Sequence, residues 1–273
     1  MSKTVKACVS LFRIRVAESF QYRLSALSGA VTSLVWAVVQ AALYTVFYTY
    51  ADNAGFAGGL TLDQAISHAW LCELLLFMQP YSIDEDLLGK ISSGDVGIEM
   101  CRPLDLYWHW FSRSSAGKIV LFVMRCLVCF LIGFFIPGGY GARPPVSFLA
   151  LVMFIVSLLC AFFLCTAYGM VVTAVRMDVR WGNGPMQFLF TVAQVLSGAF
   201  LPLQLFPDVL QPFLLFQPFA GLCDIPARLY IGSMALSDAW FGMGVQLIWA
   251  LLFVLLGRWT MSRRLRTIIT QGG

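Results

Sequence analysis

Six apolar runs, residues 24–48, 64–78, 119–136, 146–175, 185–205 and 240–256, are separated by segments whose basic residues fall almost entirely on alternate sides. A helix rises about 1.5 Å per residue, so about 20 apolar residues cross the roughly 30 Å of bilayer hydrocarbon. Most of the runs approach or exceed that length, and the second is short and weak. Lys3, Lys6, Arg13, Arg15 and Arg23 precede the first run, and Lys90, Arg102, Arg113 and Lys118 lie between the second and third. Arg176 and Arg180 follow the fourth run, and Arg258, Arg263, Arg264 and Arg266 follow the sixth. The other intervening segments hold only Arg143 and Arg228, while Arg125 lies inside the third run. This asymmetry is the positive-inside pattern, and it predicts six transmembrane helices with both termini cytoplasmic.

With 59% hydrophobic and 12% charged residues and a mean hydropathy of +0.80, a soluble globule would expose far too much apolar surface, whereas lipid solvates it directly. A spanning segment must satisfy its own backbone polar groups, so long apolar runs without strand alternation predict an all-α polytopic membrane protein, residues 1–273 forming one transmembrane domain. The longest polar stretch, residues 79–118, is too short for an independent enzyme fold. The net charge of +4 belongs to the cytoplasmic collar and not to a nucleic-acid surface; the partner it implies is the lipid bilayer. The mixed stretch up to Arg23 followed by a long run is expected to act as its own insertion signal, with no cleavable signal peptide.

Placing the cysteines on this topology removes a disulfide framework. Cys8 and Cys101 fall on the cytoplasmic side and Cys72, Cys126, Cys129, Cys160 and Cys165 in spans, leaving Cys223 alone on the far side. Cys126 and Cys129 have redox spacing, but in an apolar run they read as small packing residues. The only histidines, His68 and His109, belong to opposite sides, which argues against a metal site or a catalytic relay. No nucleophile elbow is present, and Gly117-Lys118 lacks the upstream Gly and following hydroxyl of a phosphate-binding loop. The chain is expected to hold no catalytic residue, no metal and no cofactor of its own.

Residues 1–23 carry Val5, Cys8, Val9, Phe12, Val16 and Phe20 at helical spacing, the pattern of an interfacial helix or of a basic flank that only sets topology. Ser25, Gly29 and Ser33, continued by Ala37, form a small-residue ridge on the first span that lets another helix approach closely, in this chain or a second copy. In residues 79–118 an acidic group (Asp84, Glu85, Asp86) precedes the turn-prone Gly94 and Asp95. Tyr107, Trp108, Trp110 and Phe111 then suit a short helix at the membrane surface. Residues 206–238 are apolar but broken by four prolines, which predicts an extracytoplasmic re-entrant hairpin.

Glu73 and Arg125 are charges inside spans, and burying either unpaired costs several kcal/mol. One reading pairs them structurally or lets Arg125 snorkel; the other makes Glu73 part of a route for cationic cargo. Trp36, Tyr44, Phe77, Met78 and Phe188 offer an adaptable aromatic and Met wall for an amphiphilic cargo, or simply face lipid.

Residues 91–105 read Ile-Ser-Ser-Gly-Asp-Val-Gly-Ile-Glu-Met-Cys-Arg-Pro-Leu-Asp, and residues 196–207 read Leu-Ser-Gly-Ala-Phe-Leu-Pro-Leu-Gln-Leu-Phe-Pro. Gln217-Pro-Phe, Ile225-Pro-Ala-Arg-Leu-Tyr-Ile-Gly232, Tyr22-Arg23 and Leu60-Thr-Leu-Asp-Gln64 stand in the matching order. Together these segments resemble the permease subunits of ABC-type exporters, in particular the six-span class of drug- and polysaccharide-export permeases with a separate ATPase. The resemblance implies a bacterial plasma (inner) membrane protein paired with a second permease, either a related chain or a second copy, and with two ATPase subunits that bind ATP and Mg. It places a coupling region on Asp84, Glu85, Asp86, Gly94, Asp95, Arg102, Pro103, Leu104 and Asp105, and makes the hairpin an extracellular cap. The expected function is export of an amphiphilic small molecule or lipid, cations included, by alternating access. The rival is an ATP-independent secondary transporter or channel, which should show an internal repeat and more midplane charges.

Overall fold

The computed structural model describes residues 10, 12–14, 16, 17, 23–51, 60–78, 85–93, 95–100, 105–177, 184–207 and 209–266. Every regular element among them is helical. α1 (Arg23–Ala51) is followed by α2 (Leu62–Leu74), which tightens into a 3-10 turn at Leu75–Met78. Two short helices, α3 (Glu85–Ser93) and α4 (Val96–Met100), lead into an unbroken stretch made of α5 (Leu106–Leu121), a π-helical turn at Phe122–Cys126 and α6 (Leu127–Gly133). Next come α7 (Phe148–Arg176), α8 (Gly184–Leu196), α9 (Gln211–Phe216), α10 (Asp224–Ile231) and α11 (Ala239–Leu265).

Among the described residues, four stretches are long and apolar enough to cross a membrane: α1, α5 with α6, α7 and α11. The second and fifth apolar runs yield helices of 13 residues each, α2 and α8. α2 starts on a capping box, with Thr61 Oγ1 accepting from the Gln64 backbone and Gln64 Oε1 accepting from the Thr61 backbone. α8 stops at Ser197-Gly198, where Gly198 adopts a left-handed φ of 80° that L side chains rarely take. The aromatic stretch at Tyr107 to Phe111 is not a separate surface helix. Asp105 caps the N-terminus of α5 by accepting from Trp108 N at 3.2 Å, and no proline follows, so the helix runs on into the third apolar run. Most of the interfacial helix expected at residues 1–23 lies outside the described residues; residues 12–14, 16 and 17 are helical.

From Ala65 onward α2 is buried on every side, its polar Ser67, His68 and Glu73 included. Its Trp70 donates Nε1–H to Tyr140 O at 2.7 Å, and its ring lies against Gly133, where a Cβ would come within 2.6 Å. α10 is buried along its whole length, between α7 and α2. Tyr230 meets Phe130 and Phe154 edge-on and donates to Arg143 O at 3.1 Å. At its N-terminus Asp224 pairs with Arg228 at 2.5 Å and accepts from Leu203 N at 3.0 Å. The return of α10 into the bundle also lays Cys223 against Cys72, Sγ to Sγ 3.5 Å, although the linear topology separates them; both are free thiols.

The bundle has two distinct ends. At one, Leu87, Ile91 and Val96 pack with Tyr107, Trp110, Ala174, Met177 and Met261. At the other, Arg143 pairs with Asp63 at 3.0 Å and Gln64 Nε2 donates to Ile231 O at 3.2 Å.

Candidate functional site

The small residues of α1 recur every fourth position and so share one face. Ser33, Ala37 and Ala41 on that face are fully buried, and the helices they meet are α2 and the π turn of the same chain. Gly29 has a specific use. A Cβ there would sit 3.0 Å from Arg125 Cδ and 3.1 Å from Cζ, so the Arg125 side chain lies directly across α1. Arg125 projects from the π turn, where Leu127 N bonds back to Phe122 O and the extra residue widens the helix, a feature common at functional sites.

Arg125 Nε donates to Ser33 Oγ at 3.2 Å, and the same hydroxyl faces the Glu73 carboxyl. Glu73 sits in the last turn of α2, where the helix dipole disfavours an anion, so the nearby guanidinium compensates a poor position. The two charges are joined through a hydroxyl and not by a direct ion pair within 4.0 Å among the described residues.

Both charges line a cavity of about 380 Å³. α1 contributes Thr32, Trp36 and Gln40, α2 contributes Cys72 and Glu73, and the chain from α8 onward contributes Gln194, Ala199 and Phe200. Trp36 is 57% exposed at its edge, whereas Glu73 is 8% exposed. Gln40 holds a buried side-chain oxygen without a hydrogen-bond partner.

At the α3–α5 end, Glu99 ties the short helices together. It accepts from Trp110 Nε1 at 2.6 Å and pairs with Lys90. Burial alone pushes its carboxyl up, but the bonds from Lys90 and Trp110 more than offset this and hold it below the usual carboxylate range. Asp105, besides capping α5, pairs with Arg258 of α11 at 3.1 Å. Ile98, 66% exposed, and Met100 stand on the outer surface of α4.

A family model described as ABC-2 family transporter protein matches residues 31–272. The chain belongs to the ABC-2 transporter family. A comparison with curated proteins found no match. The ABC-2 assignment makes this chain a multi-pass membrane transport component.

The structure of this ABC-2 transporter brings Glu73, Trp36, Gly29 and Ser33 together around Arg125. Tyr44 is buried instead, its hydroxyl 3.5 Å from Phe200 O, and Met78 is in the core. Phe188 is 67% exposed on α8, away from the cavity lining. The side chains of Ser25 and Phe77 lie outside the described residues, as do Asp84, Gly94, Arg102, Pro103 and Leu104 and the side chains of Glu85 and Asp86. Asp95 is exposed and accepts from Ser93 Oγ at 2.7 Å. Gln40, Thr32 and Gln194 are cavity residues that sequence reasoning missed, because a single Gln or Thr in an apolar run carries no signal of its own. Among the described residues no His, Cys, Asp and Glu group suits a metal ion.

Proposed function

We propose that this ABC-2 transporter is the transmembrane permease subunit of an ATP-driven exporter that moves amphiphilic molecules out of a bacterial cell. The observation that carries this is the Glu73–Ser33–Arg125 cavity in a chain assigned to a transporter family. Two charges held inside an apolar bundle are expensive unless they pair or face a water- or ligand-filled space, and these two, with Ser33 beside them, also open on one. On this reading α2 and α8 with the residues after them complete six crossings, and residues 206–238 dip into the membrane as a hairpin. The clustering of residues 87, 91, 96, 107, 110, 174, 177 and 261 at one end, and of 63, 64, 143 and 231 at the other, supports that alternation. Both termini and the basic segments then lie in the cytoplasm.

The partners on this reading are two ATPase subunits, which hold the ATP and Mg, and a second permease, related or identical. Residues 79–118 are the coupling region on this reading, which is supported by the packing of Leu87, Ile91, Val96, Tyr107 and Trp110 at one end of the bundle and by the link from Asp105 to Arg258 of α11. ATP binding must favour one bundle arrangement through differential contacts there. The exposed apolar face of α1, with Val31, Val35 and Val39, faces lipid or the second permease.

Affinity purification from native membranes tests the reading. Co-elution of an ATPase with the tagged chain is the expected result. Purification of an active transporter with no ATPase would replace it with an ATP-independent carrier.

A further inference from the structure

We propose that the cavity takes a zwitterionic headgroup, its anionic group on Arg125 and its ammonium on Glu73, while any apolar tail lies over the exposed face of α1. The proposal rests on the reading of the cavity as a cargo site and names the chemistry of that cargo. Three observations carry it.

The first is that the two charges are not consumed by each other. Ser33 stands between them, and its bond to Arg125 uses only Nε; the two terminal nitrogens of the guanidinium have no hydrogen-bond partner among the described residues. The second is that both charges open on the same space. A purely cationic ligand beside Glu73 would repel Arg125 across a low-dielectric cavity, and a purely anionic one would repel Glu73. A neutral ligand would displace water from both charges and restore nothing to either. Only a molecule carrying both signs satisfies both walls, so the same pair of side chains attracts one class and rejects the other two. The third is the set of neighbours. The unpartnered Gln40 oxygen adds an acceptor for an N–H donor, and the exposed Trp36 ring offers a face on which an ammonium can rest.

The size of the site fits this division of labour. A cavity of about 380 Å³ holds a headgroup but not a long chain, and the tail has an apolar track outside it along Val35 and Val39. The ligand chemistry is therefore shared by two sources, a zwitterionic lipid and a soluble zwitterion.

The test uses the complex with its ATPase in phosphatidylglycerol nanodiscs, which present no zwitterionic headgroup. ATP hydrolysis is followed as dodecylphosphocholine, dodecyltrimethylammonium or dodecyl phosphate is added below its micellar concentration. The zwitterion is expected to stimulate half-maximally at about tenfold lower concentration than either the cationic or the anionic probe, a difference of about 1.4 kcal/mol. Glu73→Gln should move the preference to dodecyl phosphate, and Arg125→Gln to dodecyltrimethylammonium. Should Arg125→Gln fail to assemble, Arg125→Lys keeps the charge and should keep the wild-type order. Glycerophosphocholine that competes with dodecylphosphocholine assigns a soluble zwitterion; failure to compete assigns a lipid. A cation that acts at the lowest concentration in the wild type, or an order of preference unmoved by Glu73→Gln, overturns the zwitterion while leaving the exporter standing. Silence with all three probes, with the ATPase bound and active, removes both.

Discussion

Replacing Asp224 by Asn should destabilise the whole bundle, although the change is a single atom in a short helix. Asp224 and Arg228 are both buried, and their contact at 2.5 Å is poorly aligned, so that Arg228 Nε and Nη2 have no well-formed hydrogen bond. The guanidinium depends on the carboxylate charge more than on directed bonds. Asn retains an oxygen for Leu203 N, now 3.0 Å from Asp224 Oδ1, so the turn after α8 keeps its acceptor. What is lost is the charge opposite Arg228, and breaking a buried pair on one side costs about 3–5 kcal/mol. In detergent-solubilised protein this should appear as a fall in apparent Tm on the order of 10 °C. Combining Asp224→Asn with Arg228→Met removes both charges and should recover most of the loss, a coupling visible in a double-mutant cycle. An Asp224→Asn protein that melts with the wild type, or a double variant no better than the single, would refute the claim that this ion pair seats α10.

Three further outcomes follow from local geometry. Gly133→Ala places a methyl 2.6 Å from the Trp70 ring, whose Nε1 is fixed to Tyr140 O, and should cost about 1–3 kcal/mol in a thermal melt; Gly117→Ala, with open space around it, should cost far less. Glu99 is held below the usual carboxylate range, so its contribution is present above about pH 4.3 and lost as pH falls through its folded value. Limited proteolysis of residues 85–105 should therefore accelerate on acidification in the wild type and show a flattened acid limb in Glu99→Gln. Asp105→Ala should cost about 1 kcal/mol through the lost cap, and Asp105→Asn less, since an amide still caps and the exposed pair with Arg258 contributes little; a melt series separates the two.

The long helices were legible because nothing interrupts their apolar runs. Residues 24–48, 146–175 and 240–256 contain no proline, and α1, α7 and α11 cover them. The start of the third helix was misplaced for a physical reason. Arg113 and Lys118 read as a cytoplasmic boundary, yet both are buried and the cap at Asp105 lets the helix begin before them. The shortness of α8 has a visible cause in Gly198 and Pro202, residues that read equally well as part of a tolerant apolar run. Four-residue spacing exposed the packing ridge of α1, and two isolated charges in spans flagged Glu73 and Arg125. Their arrangement around Ser33 was not legible, because it joins residues 92 positions apart through a π turn that no periodicity announces. Cys72 and Cys223 illustrate the same limit, since the fold-back of α10 brings together positions that a linear topology puts at different depths.

The central claim is that this cavity carries cargo at the expense of ATP hydrolysed by partner subunits. Reconstitution of the co-purified complex into proteoliposomes, with the ATPase facing outward, measures it directly as uptake of a fluorescent amphiphile with a zwitterionic headgroup. The account predicts uptake that requires hydrolysable ATP and falls about tenfold or more in a Glu73→Gln, Trp36→Ala variant that still assembles with its ATPase. Uptake that proceeds without ATP on an ion gradient, or that is unchanged in the assembled variant, would contradict it.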